Sequence, residues 1–238
     1  MKFLPFLFCL ATGALPVAHA QSFCASDGEP APVALVERFI SADCEACWSD
    51  PATRAASTGE LAIDWIVPSA RGDDAPLSAA ASRDAPARLQ AMRRSVPTKT
   101  LTVTSPVAGA REVGKVLPLR VAHGLPVNDY IGTSIEMKPA PAVAASGSPW
   151  TAWLLLVEAI PAGTQGTPVA RNLVRNSLQS IWGEDKQLSK SEQSRFFEFR
   201  PMRIPPGSDV GRLRVVGWVQ DAQGRVLTAA ESRCKPAG

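Results

Sequence analysis

The apolar and polar positions of the chain change their pattern near its middle. In the first part, strands are expected at about 32–40, which is apolar over 33–36 and 39–40, and at 61–67, and alternation over 100–104 indicates a further strand. An alanine-rich stretch at 77–94 predicts a helix, and a shorter helix is expected after Cys44. This alternation of strands and helices predicts a sheet with parallel pairs and helices packed on it.

From Leu117 onwards, strands and loops alternate without long helical patterns. The predicted strands are 117–122, 130–137, 151–160, 194–200, 212–220 and 225–230. A surface loop is expected over 138–149, a tight hairpin at Asp221–Gly224, and one or two helical turns over 172–182. This part therefore predicts a small antiparallel β-sandwich.

The first twenty residues have the pattern of a secretory signal peptide. Lys2 precedes an apolar run, and Ala18-His19-Ala20 is a small-x-small cleavage site. No later stretch is long and apolar enough for a membrane span. We therefore expect a periplasmic or secreted protein without membrane insertion, and the net charge of +3 is too weak to indicate nucleic acid.

Four cysteines follow the predicted cleavage site, namely Cys24, Cys44, Cys47 and Cys234. They allow three pairings, and an oxidising compartment permits disulfides. Cys44 and Cys47 form a CxxC motif after a predicted strand, which is the arrangement of thioredoxins. We therefore predict a Cys44–Cys47 redox pair and a Cys24–Cys234 structural bridge. The alternative for Cys24 and Cys234 is two unpaired thiols on frayed ends.

The CxxC motif predicts thiol–disulfide exchange, with Cys44 as exposed nucleophile and Cys47 as shielded resolving thiol. The start of a helix would favour the Cys44 thiolate. Glu45 lies between the cysteines, and its negative charge should disfavour that thiolate and make the pair a milder oxidant. The alternative is a fixed structural disulfide without activity.

Two further residues are candidates for substrate binding. Pro97 precedes the strand at 100–104, where thioredoxin-like folds carry a cis-proline facing the CxxC motif, and Trp48 could line the same groove. The alternatives are an ordinary trans-proline at a strand start and a tryptophan in the core. His123 is the one histidine after the cleavage site, and we expect it to be an ordinary half-buried side chain. We expect the protein to bind neither a metal nor a cofactor.

The chain resembles an uncharacterised family of secreted bacterial proteins with a thioredoxin-like front half and a β-rich back half. The resemblance is carried by Val36–Cys47, Asn172-Leu-Val-Arg175, Ile181-Trp-Gly183, and a closing pattern at Val219, Gln220, Gly224 and Ala229. The family usually has a histidine-containing cluster after its second strand, whereas Ile63-Asp64-Trp65-Ile66 lacks the histidine. The resemblance implies the fold more than an activity.

The predicted organisation is a signal peptide at 1–20, a lead-in at 21–31, a thioredoxin-like α/β domain at 32–111 and a β-rich domain at 112–238. The predicted function is a periplasmic thiol–disulfide oxidoreductase that uses Cys44 and Cys47 on protein thiols or disulfides. The alternative is a non-catalytic envelope binding or assembly module in which the CxxC disulfide is structural.

Overall fold

The computed structural model of the chain describes residues 24–110, 118–137, 149–182 and 196–234. The predicted signal peptide and most of the predicted loop at 138–149 lie outside these ranges. Among the described residues, none of the helices has the length and apolar character needed to cross a membrane.

Twelve β-strands make up about half of the described residues. They are β1 (Cys24–Ala25), β2 (Ala34–Ser41), β3 (Glu60–Val67), β4 (Thr100–Pro106), β5 (Leu119–Val127), β6 (Tyr130–Met137), β7 (Trp150–Ile160), β8 (Arg171–Trp182), β9 (Phe196–Arg203), β10 (Leu213–Gln220), β11 (Val226–Glu231) and β12 (Arg233–Cys234). The described α-helices are α1 (Glu45–Trp48) and α2 (Ala85–Ala91).

The strands form two sheets. The larger has seven strands in the order β11-β10-β7-β8-β3-β2-β4, and the smaller has five in the order β12-β1-β5-β6-β9. β2 and β3 are parallel along eight residue pairs, whereas β3 meets β8 at a single parallel pair, Asp64 with Leu173. The remaining pairings between named strands are antiparallel.

The prediction of an α/β thioredoxin-like fold is wrong, because the described chain is mostly β. The alanine-rich stretch at 77–94 forms only the seven-residue α2, preceded by a 3₁₀ turn at Ser78–Ala80. Pro86 occupies the first turn of α2, where a proline is tolerated, and this explains why the helix cannot extend further back.

The helical turns predicted over 172–182 are also wrong, because this stretch lies in β8. β8 pairs with β7 from Ile160 opposite Arg171 to Trp150 opposite Trp182. Such a ladder provides hydrogen-bond partners for the backbone N–H and C=O groups along the strand. This stabilisation outweighs a weak local preference for helix.

The proposed division at residue 112 stays a prediction. β2, β3 and β4 precede this point, while β7, β8, β10 and β11 follow it, and all seven strands share one sheet. The two segments therefore contribute to one continuous layer.

Apolar side chains cover both faces of the larger sheet. Between the two sheets, the buried core contains Val121, Ile131, Ile135, Met137, Ala152, Leu154, Leu156, Val215 and Val219. On the opposite face, Ala85 and Leu89 of α2 pack with Leu35, Phe39, Trp65, Trp153, Val216 and Trp218. The alternation along β7 and β10 divides their side chains between these cores.

The predicted Cys24–Cys234 bridge is confirmed, so the alternative of two unpaired thiols is wrong. The cysteines lie opposite each other in the antiparallel pair of β1 and β12. The lead-in predicted at 21–31 therefore contains β1, which also pairs with β5.

Gly217 in β10 faces the smaller sheet, where side chains of that sheet pack close to its backbone. A Cβ atom built at this position would lie 2.6 Å from Val121 Cγ1, 2.9 Å from Ile135 Cδ1 and 3.2 Å from the Trp153 carbonyl oxygen. The two aliphatic side chains belong to the smaller sheet, so a methyl group here would force the layers apart.

We expect Gly217→Ala to lower the free energy of unfolding by about 1–3 kcal/mol, because the core is already filled. Urea denaturation measures this change. Gly124→Ala is the matched control, since a Cβ atom there meets nothing within 4 Å. Equal stability of the Gly217 variant and the parent chain would contradict the close approach of the sheets.

Candidate functional site

The CxxC motif follows the C-terminal end of β2, and the predicted Cys44–Cys47 disulfide is confirmed. Both cysteines are half-buried, while Glu45 and Ala46 between them are exposed. The contrast predicted between an exposed Cys44 and a shielded Cys47 is therefore absent in the disulfide form.

The helix that carries the motif is only one turn long. Cys44 is its N-cap, and the Cys47 N–H donates to the Cys44 carbonyl at 3.0 Å. Four residues align few peptide dipoles, so the helix-end stabilisation expected for a Cys44 thiolate is small.

Trp48, at the end of α1, anchors this turn to the loop before β8. Its Nε1–H donates to the Gln165 carbonyl at 2.8 Å, and its ring lies 4.5 Å from the Arg171 guanidinium carbon. The indole is buried between these groups. Trp48 therefore acts as a packing residue. Its geometry does not support the proposed contact with a substrate.

A buried charge cluster lies beneath α1. Asp64 of β3 accepts from Arg38 of β2 at 2.8 Å and from Arg171 of β8 at 2.7 Å. Arg171 also donates to the Trp48 carbonyl at 2.8 Å, which links the cluster to the disulfide-bearing turn. Burial lowers the pKa of Arg171, while the carboxylate of Asp64 acts in the opposite direction.

A cavity of about 340 Å³ opens beside the disulfide, and its lining includes Cys47, Arg38, Arg171, Thr100 and Thr102. The two threonines belong to β4, the outermost strand of the larger sheet. Arg38 Nε is buried and has no hydrogen-bond partner among the described residues. The cavity therefore joins the disulfide, two guanidinium groups and a sheet edge.

The Val96–Pro97 bond is trans, since the described chain contains no cis peptide bond. The prediction of a cis-proline is wrong, because it relied on a thioredoxin-like fold that the chain does not have. Pro97 is half-buried and does not belong to the cavity lining beside Cys47. The geometry therefore gives Pro97 no place in a substrate groove beside the CxxC motif.

His123 lies beside the second disulfide, a neighbour that the sequence pattern did not reveal. Within the smaller sheet, Cys24 is paired both with Cys234 and with His123 of β5. His123 is buried rather than half-buried, and burial lowers its pKa. These residues are far apart along the chain, so no local sequence pattern indicates that His123 lies beside Cys24.

A second buried ion pair lies on the opposite face of β2. Glu37 accepts from Arg88 of α2 at 2.6 Å, and also from the Trp65 indole at 3.3 Å. The Arg88 guanidinium lies 4.9 Å from the Trp153 ring and 5.0 Å from the Trp218 ring. These contacts fasten α2 to strands from both halves of the chain.

Comparison with known proteins assigns no family. No protein-family model matches the chain, and no curated protein matches it. A solved structure, HBP35 of Porphyromonas gingivalis, is similar with a TM-score of 0.47 and 11% identity, over 84% of this chain and 74% of that chain. The resemblance to a family of secreted bacterial proteins stays a prediction.

We expect Asp64→Asn to lower the free energy of unfolding by about 3–5 kcal/mol, because two buried guanidinium groups lose their counter-ion. Urea denaturation provides the measurement. Asp43→Asn serves as the control, because Asp43 is exposed and lies 3.8 Å from Arg71, where such pairs contribute at most about 1 kcal/mol. An equal loss of unfolding free energy in the two variants would show that the Asp64 cluster does not stabilise the fold.

Proposed function

We propose that the protein is an exported thiol–disulfide exchange protein in which Cys44–Cys47 exchanges and Cys24–Cys234 is structural. The proposal is supported chiefly by the half-buried Cys44–Cys47 disulfide, whose Cys47 lines the cavity beside β4. Two disulfides fit an extracellular or periplasmic protein, where oxidised cysteines persist.

The lengths of the closed loops support this division of roles. Cys24–Cys234 spans 210 positions, whereas Cys44–Cys47 spans three. Loop-closure entropy corresponds to about 5 kcal/mol for the long loop and about 2 kcal/mol for the short one. Opening the short loop therefore costs the fold less, as a reversible exchange step requires.

The exchange reaction proceeds through a mixed disulfide. A thiolate of a partner protein attacks Cys44 Sγ, which breaks the Cys44–Cys47 bond and releases Cys47 as a thiolate. A second thiolate of that partner then attacks the partner sulfur bonded to Cys44. This step forms the partner's disulfide and leaves Cys44 and Cys47 reduced, so the two electrons pass from the partner to the protein.

The second candidate is a non-catalytic envelope binding module with a structural CxxC disulfide. It is favoured by the contacts that hold α1 in place, because Arg171 and Gln165 fix both the backbone and the ring of Trp48. The trans bond at Pro97 also removes one feature expected of an exchange enzyme.

The two candidates differ in the reduction potential of the Cys44–Cys47 pair. Structural disulfides typically lie below about −300 mV, so the exchange function requires a higher value. Glu45→Gln should make the pair more oxidising, because it removes a negative charge that disfavours the reduced thiolate. Equilibration with glutathione buffers, followed by alkylation and mass measurement, gives both potentials.

We also expect Cys47→Ala to accumulate mixed disulfides through Cys44 in the oxidising compartment, since the resolving thiol is gone. Non-reducing electrophoresis detects these adducts. The variant with both Cys44→Ala and Cys47→Ala is the control for capture by other cysteines. A wild-type potential below about −300 mV together with no adducts above the control would favour the binding module.

A further inference from the structure

We propose that Cys24, Cys234 and His123 form a binding site for a single Cu⁺ ion when the bridge between the two cysteines is reduced. The site lies in the smaller sheet, on strands that take no part in the cavity beside Cys47. It is independent of the exchange function proposed for Cys44 and Cys47.

The three side chains are brought together by the strand register. Cys24 is directly opposite Cys234 on one side and directly opposite His123 on the other, so all three project from the same face of the sheet. The two sulfurs and one ligand nitrogen lie within 4.8 Å of one another. Neighbouring ligands on one metal ion require separations of this order.

The histidine has the hydrogen-bond pattern of a metal ligand. Its Nδ1 lies 2.9 Å from the Gly124 carbonyl oxygen, which can only accept, so Nδ1 carries the proton. Nε2 then holds a free lone pair, is buried and has no hydrogen-bond partner among the described residues. Metal-binding histidines are commonly oriented in this way, with the second ring nitrogen bonded to a backbone carbonyl.

The ligand set and its burial favour Cu⁺ over Zn²⁺. Two thiolates and one imidazole are soft or borderline donors that suit both ions. Zn²⁺ prefers a fourth ligand, which would have to be a water molecule here. Cys24 is 1% exposed, His123 is 5% exposed and Cys234 is half-buried, and the group offers three protein ligands, a number that suits Cu⁺ without a fourth.

The metal and the disulfide compete for the same two sulfur atoms. A phosphine reductant donates two electrons to the Cys24–Cys234 bond and becomes a phosphine oxide with an oxygen from water, while the two sulfurs become thiols. Binding of Cu⁺ then releases the two thiol protons, and neither the ion nor the sulfurs change oxidation state.

The test uses the full chain without its predicted signal peptide, with Cys44→Ser and Cys47→Ser so that only the terminal cysteines can react. The chain is reduced with a phosphine, desalted without oxygen and titrated with Cu⁺ in competition with a chromogenic Cu⁺ chelator. We expect binding to saturate at one equivalent, with ultraviolet absorption from sulfur-to-copper charge transfer. An excess of Zn²⁺ should not displace the ion, and displacement would overturn the assignment to Cu⁺.

His123→Gln in the same background separates the proposed site from a simple pair of thiols. We expect this variant to weaken Cu⁺ binding by about tenfold or more, because a ligand is lost. Cys24→Ser should abolish the site. Unchanged affinity in His123→Gln, or equal affinity in the parent and Cys24→Ser chains, would overturn the proposal.

A rate measurement keeps the test decisive if reduction loosens the terminal strands. Reduced chains are mixed with oxidised glutathione, with and without one equivalent of Cu⁺, and the return of the Cys24–Cys234 bond is followed by alkylation and mass measurement. We expect Cu⁺ to slow this return in the parent and much less in His123→Gln. Equal rates with and without Cu⁺ in the parent would exclude the site.

Discussion

The buried carboxylate of Asp64 is the interaction on which the larger sheet depends. β3 and β8 share a single ladder pair, yet this junction joins the first strands of the chain to the later ones. Asp64 bridges the junction by binding Arg38 on one side and Arg171 on the other. A buried guanidinium without a counter-ion would destabilise the fold. Removal of Asp64 would therefore leave the charges of Arg38 and Arg171 uncompensated.

The same cluster positions the candidate exchange site. Arg171 extends from the junction to the carbonyl and the ring of Trp48, and thereby fixes the turn that holds Cys44 and Cys47. On the other face of β2, Glu37 and Arg88 join α2 to the tryptophans of the later strands. Stability of the sheet and placement of the disulfide are therefore coupled.

The features that could be predicted from the sequence are those set by residues close together in the chain. The apolar blocks located β2 and β3, and the spacing of Cys44 and Cys47 predicted their disulfide. The strand β8 was missed because the ladder with the preceding strand β7, rather than local preference, decides its conformation. The contact of His123 with Cys24 was missed for the same reason, since β1 is recognisable only through its pairing.

The order in which the two disulfides are reduced distinguishes an exchanging Cys44–Cys47 pair from a structural Cys24–Cys234 bridge. The folded protein is exposed to increasing dithiol concentration, free thiols are alkylated, and peptides are mapped by mass. We expect Cys44 and Cys47 to be alkylated while Cys24 and Cys234 are still joined, because the first pair is half-buried and closes a short loop, whereas Cys24 is 1% exposed. Reduction of Cys24–Cys234 first, or of both bonds together, would contradict this expectation.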